Sequence, residues 1–198
     1  TLISTSGSSG QPRWVQHRYA AHLYSALGSN DNIKLRPGDR WLICLPLHHV
    51  SGLSIVFRTM LAGAALAIKP DRWNLVVTIA RFEITHLSLV SAQLKRVLDS
   101  GLDDAPLAQI RAVLVGGSAI PAALIERAWD FGLPLFTTYG STEMASQVTA
   151  TKPGDPLDRL LTSGRPLVHR EISIARDGEI LVRGRTRFDG YFSEGRLT

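Results

Sequence analysis

The stretch AVLVGGSAIPAALIERAWDFGLPLFTT, residues 112–138, decides the fold. Ala112–Val115 is an unbroken apolar run, the pattern of a strand buried on both faces. Gly116 and Gly117 end that run, and Pro121 suits the first turn of a helix, where its missing N–H costs nothing. Pro121–Phe131 reads as that helix, and Leu135–Thr138 reads as the next strand. A strand, a helix and a strand at this pitch predict a βαβ unit with parallel strands.

The same alternation continues toward the N-terminus. Strands are expected at Trp41–Leu45, Ala64–Lys69 and Ile84–Leu89. Helices are expected at Trp14–Leu27, Ser51–Gly63, Trp73–Phe82 and Ala92–Asp99. The fold class is therefore α/β, a mostly parallel sheet with helices on both faces. The texture changes after Thr151. Lys152–Pro156 is turn chemistry, and Glu171–Ala175 and Glu179–Arg183 read as a hairpin around Asp177-Gly178. The expected organisation is an α/β core over residues 1–155 and an incomplete small β unit over 156–198. Both ends read as cuts through a longer chain.

Composition narrows the function classes. The 198 residues are 44% hydrophobic and 20% charged, the balance of an ordinary folded domain. The longest apolar run, Met60–Ile68, is too short to span a bilayer, and Thr1–Ser9, without a basic n-region or an apolar h-region, is not expected to be a signal peptide. One cysteine, Cys44, excludes an intrachain disulfide framework and fits a reducing, cytoplasmic setting. The net charge of +5 is scattered without an aromatic–basic stripe, so nucleic acid is not an expected partner.

Four unusual loops follow predicted strands, at the strand ends where open α/β sheets bind ligands. Thr5-Ser-Gly-Ser-Ser-Gly-Gln-Pro-Arg13 offers hydroxyls and close backbone amides to an anion, but lacks the Gly-Lys-[Ser/Thr] of a P-loop. A flexible linker is its bland alternative. Leu45–Gly52 carries His48 and His49, which could serve as gates, bases, metal ligands or plain packing at a helix start. Ser51 and Arg58 stand seven apart and so share one helical face, where they could hold a carboxylate. Val115–Pro121 brings Gly116 and Gly117, either a platform for a flat ring or a tight turn. Thr137–Glu143 brings a stacking face at Tyr139, a hydroxyl at Thr142 and a hard oxygen ligand at Glu143. That last feature could equally be helix N-terminal chemistry.

Taken in order, the Thr5–Arg13 loop, Pro46–Gly52, Gly116-Gly-Ser118, Tyr139-Gly-Ser-Thr-Glu143 and Gly178–Gly184 with Gly190-Tyr191 resemble the acyl-adenylate-forming (AMP-binding) superfamily. Within it, His49–Ser54 with Arg58, Tyr139–Gln147 and Ser163-Gly-Arg-Pro166 are most similar to the o-succinylbenzoate–CoA ligases of menaquinone and phylloquinone synthesis. The resemblance implies an AMP-forming acid–thiol ligase using ATP, Mg²⁺ and CoA. A small carboxylate such as o-succinylbenzoate is first adenylated and then transferred to the thiol. It implies that Thr5, Ser6, Gly7, Ser8, Ser9, Gly10 and Arg13 grip the β/γ-phosphates. Arg13 stands where the family usually has Lys. Gly117, Ser118, Ala119, Tyr139 and Gly140 would border adenine. Thr142 would touch the α-phosphate, Glu143 would hold Mg²⁺, and His49 would sit at the mouth of the acyl pocket. Ser51, Arg58 and Gln147 would recognise the acid. The ribose-binding Asp and the catalytic-Lys domain of the family would lie beyond Thr198. Other acyl- or aryl-CoA ligases, adenylation domains and a non-catalytic nucleotide-binding fragment are the alternatives. Exposed strand edges would favour a homo-oligomer.

Overall fold

The computed structural model describes residues 1–5, 13–70, 74–100, 107–193 and 196–198. Its elements are β1 (Leu2–Thr5), β2 (Arg13–Gln16), α1 (Tyr19–Ile33), β3 (Arg40–Ile43), α2 (Val50–Ala62), β4 (Ala65–Ile68), α3 (Leu75–Arg81) and β5 (His86–Leu89). They continue with α4 (Ser91–Asp99), β6 (Ala112–Val115), α5 (Ala122–Asp130), β7 (Leu135–Ser141), β8 (Ser146–Ala150), α6 (Leu157–Leu160) and β9 (Arg165–Pro166). The hairpin β10 (Arg170–Ile174) and β11 (Ile180–Gly184) follows, then β12 (Gly190–Ser193) and β13 (Arg196–Leu197).

The central sheet has seven strands in the order β4-β3-β5-β6-β7-β8-β9. The first five run parallel, and β8 and β9 are antiparallel. Period-two alternation sends the apolar strand residues to opposite faces. Leu42, Leu87, Leu89, Val113, Val115 and Leu135 meet Ile79 of α3, Leu94 and Val97 of α4 and Ile125 of α5. Trp41, Ala112, Leu114 and Phe136 meet Ile33 of α1 and Ile55 of α2. Helices thus cover both faces, as expected, and each βα connection returns over the sheet. Among the described residues no helix is long and apolar enough to cross a membrane.

Three local expectations are corrected. The helix expected from Trp14 begins only at Tyr19, because Arg13–Gln16 is a strand. Val15 is fully buried in it, opposite Ile3 on one side and Tyr191 of β12 on the other. Pairing with a strand about 175 positions away overrides the local helical pattern. The residues after the Ser/Gly segment therefore close a hairpin rather than open a helix. Second, α1 runs through Gly28 to Ile33 instead of stopping at Leu27. A Cβ at Gly28 would come within 2.3 Å of the Arg170 guanidinium, so this glycine serves close packing. The stop is Lys34, in the left-handed region at φ 57°. Third, β7 continues to Ser141 and is followed by β8, a strand the sequence reading did not contain.

Beyond residue 155 the chain contributes to three sheets. Arg165–Pro166 pairs with β8, β10 and β11 form their own hairpin, and β12 pairs with β2. The hairpin turn places Gly178 at φ 90°, the conformation for which its glycine is suited.

Candidate functional site

The carboxyl ends of β3, β5, β6 and β7 converge on one cavity of about 290 Å³. Leu45 lines it from the loop after β3, and His49, Val50, Ser51 and Arg58 from the start and middle of α2. Ser88 and Leu89 line it from the end of β5 with Val90 just after it, Gly116 and Gly117 after β6, Thr138, Gly140 and Ser141 from β7, and Thr142 from the turn that follows β7. Ser146 and Gln147 of β8 close the far wall. Backbone proximity shapes this rim. A Cβ on Gly52 would sit 2.2 Å from the Pro46 carbonyl oxygen, and one on Gly116 would sit 2.8 Å from Thr138. A Cβ on Gly140 would sit 2.2 Å from the Ser146 oxygen, at the bulge between β7 and β8. Only glycine allows these approaches.

Arg58 dominates the electrostatics. Its side chain is 2% exposed, and its guanidinium lies over the Trp41 ring at 5.3 Å and donates to Ser146 Oγ at 3.2 Å. Its Nε has no partner, and among the described residues no carboxylate lies within ion-pair distance of it. Burial, with repulsion from Arg170 second, lowers its pKa to about 9, which still leaves it charged at neutral pH. Ser88 Oγ, also on the cavity wall, is buried without a partner. An uncompensated buried cation is costly, and it is ordinarily retained where an anion completes it. Gln147, by contrast, is spent within the protein. Its Nε2 donates to Thr138 Oγ1 at 3.1 Å and its Oε1 accepts from Ser29 Oγ at 2.7 Å.

A second polar cluster stands beside the cavity. Glu143 Oε1 accepts from the Tyr191 hydroxyl at 2.9 Å, and the Glu143 carbonyl accepts from the Phe188 N–H at 2.7 Å. Burial, with Glu143 second, holds the Tyr191 phenol above its ordinary value. The Arg13 guanidinium stands 5.2 Å from the centre of the Tyr191 ring. Because Thr5 pairs with Arg13 across β1 and β2, both ends of the Ser/Gly segment lie beside this cluster. On the other side of the turn, His17 Nε2 lies 2.7 Å from the Thr142 carbonyl. Burial depresses the His17 pKa, so the ring is neutral with its proton on Nε2, since a carbonyl only accepts.

Of the residues expected from the sequence, the cavity brings together His49, Ser51, Arg58, Gly117, Gly140, Thr142 and Gln147. Thr5, Arg13, Tyr139 and Glu143 do not line it, and Ser118 and Ala119 are exposed beyond its rim. Ser6, Gly7, Ser8, Ser9 and Gly10 lie outside the described residues. Sequence reasoning missed Ser88, Thr138, Ser141 and Ser146. Ser88 carried a signal, a hydroxyl inside the buried run His86–Leu89. Ser146 lies inside the Tyr139–Gln147 stretch but was not singled out, and its contact with Arg58 is set by a tertiary approach across 88 positions.

An open α/β sheet with a buried guanidinium in a cavity at its strand tips, without a carboxylate partner among the described residues, has the architecture of a small-molecule binding protein. Comparison with known proteins narrows this class. The chain belongs to the AMP-binding enzyme family, which matches residues 1–192. It is 36% identical over 98% of its length to 2-succinylbenzoate–CoA ligase of Bacillus subtilis, of which it covers 42%. It superimposes with a TM-score of 0.84 and 38% identity on wild-type Escherichia coli MenE bound to an analogue of OSB-AMS, covering all of this chain and 41% of that one. The TM-score is 0.86, at 33% identity, against the Bacillus subtilis o-succinylbenzoate CoA synthetase in complex with ATP and magnesium ion. That match covers all of this chain and 46% of the synthetase. The chain thus spans about two fifths of the length of the curated relatives it matches.

Proposed function

We propose that this chain is the adenylate- and acid-binding part of an AMP-forming acid–CoA ligase of menaquinone biosynthesis, acting in the cytoplasm on o-succinylbenzoate with ATP, Mg²⁺ and CoA. Residues 1–155 are its nucleotide and acyl core, and residues 156–198 begin a β unit. The observation that carries the substrate assignment is Arg58, a buried cation on the cavity wall without a carboxylate partner among the described residues. The carboxylate that is activated must stay free to attack phosphorus. Arg58 therefore holds a second carboxylate, and the substrate is a diacid. Relatives named for o-succinylbenzoate support the same choice.

The remaining roles follow from position. Ser51 and Ser88 hydroxyls supplement Arg58, and His49 stands at the cavity mouth. Gly117 and Gly140 give a flat base access to the backbone, with Ser118, Ala119 and Tyr139 flanking it. Thr142 faces the cavity and donates to the α-phosphate. Among the described residues no three-carboxylate or histidine cluster could cage a metal. A single carboxylate at Glu143 suits Mg²⁺, which keeps waters and substrate phosphates as its other ligands. The ion supplies neutralisation of phosphate charge when bound, while Arg13, Thr5 and the Ser6–Gly10 hydroxyls and amides grip the outer phosphates. Negative charge grows in this reaction, so positioned donors suffice and no nucleophilic side chain is required. Cys44 fits that view, since burial raises its thiol pKa to about 11.

The test is calorimetry of the full-length protein with o-succinylbenzoate and with its analogue lacking the ring carboxylate, each beside AMP. Binding of the diacid at least about tenfold tighter supports the reading, since a buried charge pair contributes that much or more. Equal binding of both acids defeats it.

A further inference from the structure

The turn Thr142–Met144 is held from several sides by elements remote in sequence. The Phe188 N–H donates to the Glu143 carbonyl at 2.7 Å, and Tyr191 donates to the carboxylate at 2.9 Å. The third hold is His17, two per cent exposed, whose Nε2 lies 2.7 Å from the Thr142 carbonyl across 125 residues of chain. His17 directly follows β2, the strand that receives the Ser/Gly segment, and it does not line the cavity. Its Nδ1 has no partner, and its ring packs beside His22, which stacks on Phe57 of α2. The imidazole is therefore fixed by packing, with one hydrogen bond to make.

We propose that His17 is a positioning residue. Its Nε2–H, donated to the Thr142 carbonyl, sets the turn that presents the Thr142 hydroxyl to the cavity and the Glu143 carboxylate beside it. The bond also ties the end of β2 to that turn. The same carbonyl accepts from the Ala145 N–H at 3.1 Å, which closes the turn. His17 thus acts on the backbone and touches no reactant.

This inference rests on the adenylation reading for its kinetic arm only. In the full-length protein, His17→Phe keeps the ring volume and removes the donor. His17→Gln places an amide N–H near the Nε2 position, and His17→Asn falls short of it. Expected for His17→Phe is a fall in the rate of pyrophosphate release of about tenfold, from one lost bond to a buried carbonyl, with the KM for ATP within about threefold. Gln is expected to restore most of the rate and Asn little. Unchanged kcat in His17→Phe, or equal impairment by Phe and Gln, overturns the proposal. Amide exchange supplies an arm independent of activity. The Ala145 N–H exchanges faster in the Phe variant and near the parent rate in the Gln variant. Equal protection in all three overturns the proposal even if the parent adenylates no acid, a result that would defeat the function reading separately.

Discussion

Replacing Arg58 by Met should move stability and acid binding in opposite directions. The side chain is 2% exposed and has no carboxylate partner among the described residues, so the folded protein carries the desolvation cost of a charge with the Ser146 hydroxyl and the Trp41 face in return. Met fills similar volume without charge. Exchanging buried ionic groups for apolar ones of like size is commonly neutral or stabilising by about 1–4 kcal/mol. For a chain of 198 residues, 1 kcal/mol corresponds to about 2–4 °C in Tm. The variant should therefore melt at the parental temperature or several degrees above it. Its loss should appear in the acid. Truncating one member of a buried charge pair costs about 2–5 kcal/mol, or about 30-fold to several thousandfold in Kd. Differential scanning fluorimetry without ligand and calorimetry with o-succinylbenzoate measure the two quantities on the same sample. Affinity for ATP should stay within about threefold, because the residues proposed to face the phosphates lie in the turn after β7 and at the ends of β1 and β2. A Met variant that binds the diacid as the parent does would refute the reasoning. So would one that unfolds well below the parent, since Arg58 would then be a structural cation.

Four further outcomes are expected. Gly52→Ala must displace the Pro46 carbonyl from 2.2 Å, costing about 1–3 kcal/mol of stability, and it should weaken acid binding by shifting His49 and Ser51; chemical denaturation and calorimetry check both. Tyr191→Phe removes one hydrogen bond to Glu143, so adenylation should slow by about two- to tenfold with the fold intact. Stability should fall as pH drops from about 6.5 toward 4. Burial holds His22 down to about 4, and His86 is displaced the same way, so the unfolded chain binds more protons in that window and ΔG of unfolding rises with pH. His22→Phe should flatten the slope by up to about 3 kcal/mol across the window, read by urea titrations at several pH values. Ile68→Lys, on the exposed edge strand β4, should sediment as a smaller or equal species relative to the parent at the same concentration, because a charged edge does not template pairing; a larger species counts against this.

The parts of the molecule legible in sequence are those fixed by local pattern. Ala112–Val115 is bounded as its apolar run and flanking glycines require, and Ser51 and Arg58 reach one cavity because seven residues make two helical turns. The parts that were not legible depend on distant partners. Arg13–Gln16 is a strand because Val15 lies between Ile3 and Tyr191. Ser146–Ala150 is fully buried yet reads as polar, since Ser146, Gln147 and Thr149 are satisfied by Arg58, Ser29, Thr138 and the Ser163 carbonyl. Polar residues paid for in this way leave no hydrophobic period to read. Thr142 and Glu143 were singled out by type, but their separation into one group on the cavity and one beside it needs the turn itself.

The reversal of the sheet at β7 and β8 carries a wider consequence. A parallel strand normally hands its chain to a helix, which spreads neighbouring site residues across the gene. Here a tight return makes Tyr139 through Gln147 one uninterrupted segment, of which Gly140, Ser141, Thr142, Ser146 and Gln147 line the cavity. Under the proposed function, exchange of its last two residues would alter the chamber for the acid and leave the nucleotide end untouched. On that reading, selectivity for new acids would be evolved by grafting a segment of about ten residues rather than by rebuilding the whole site.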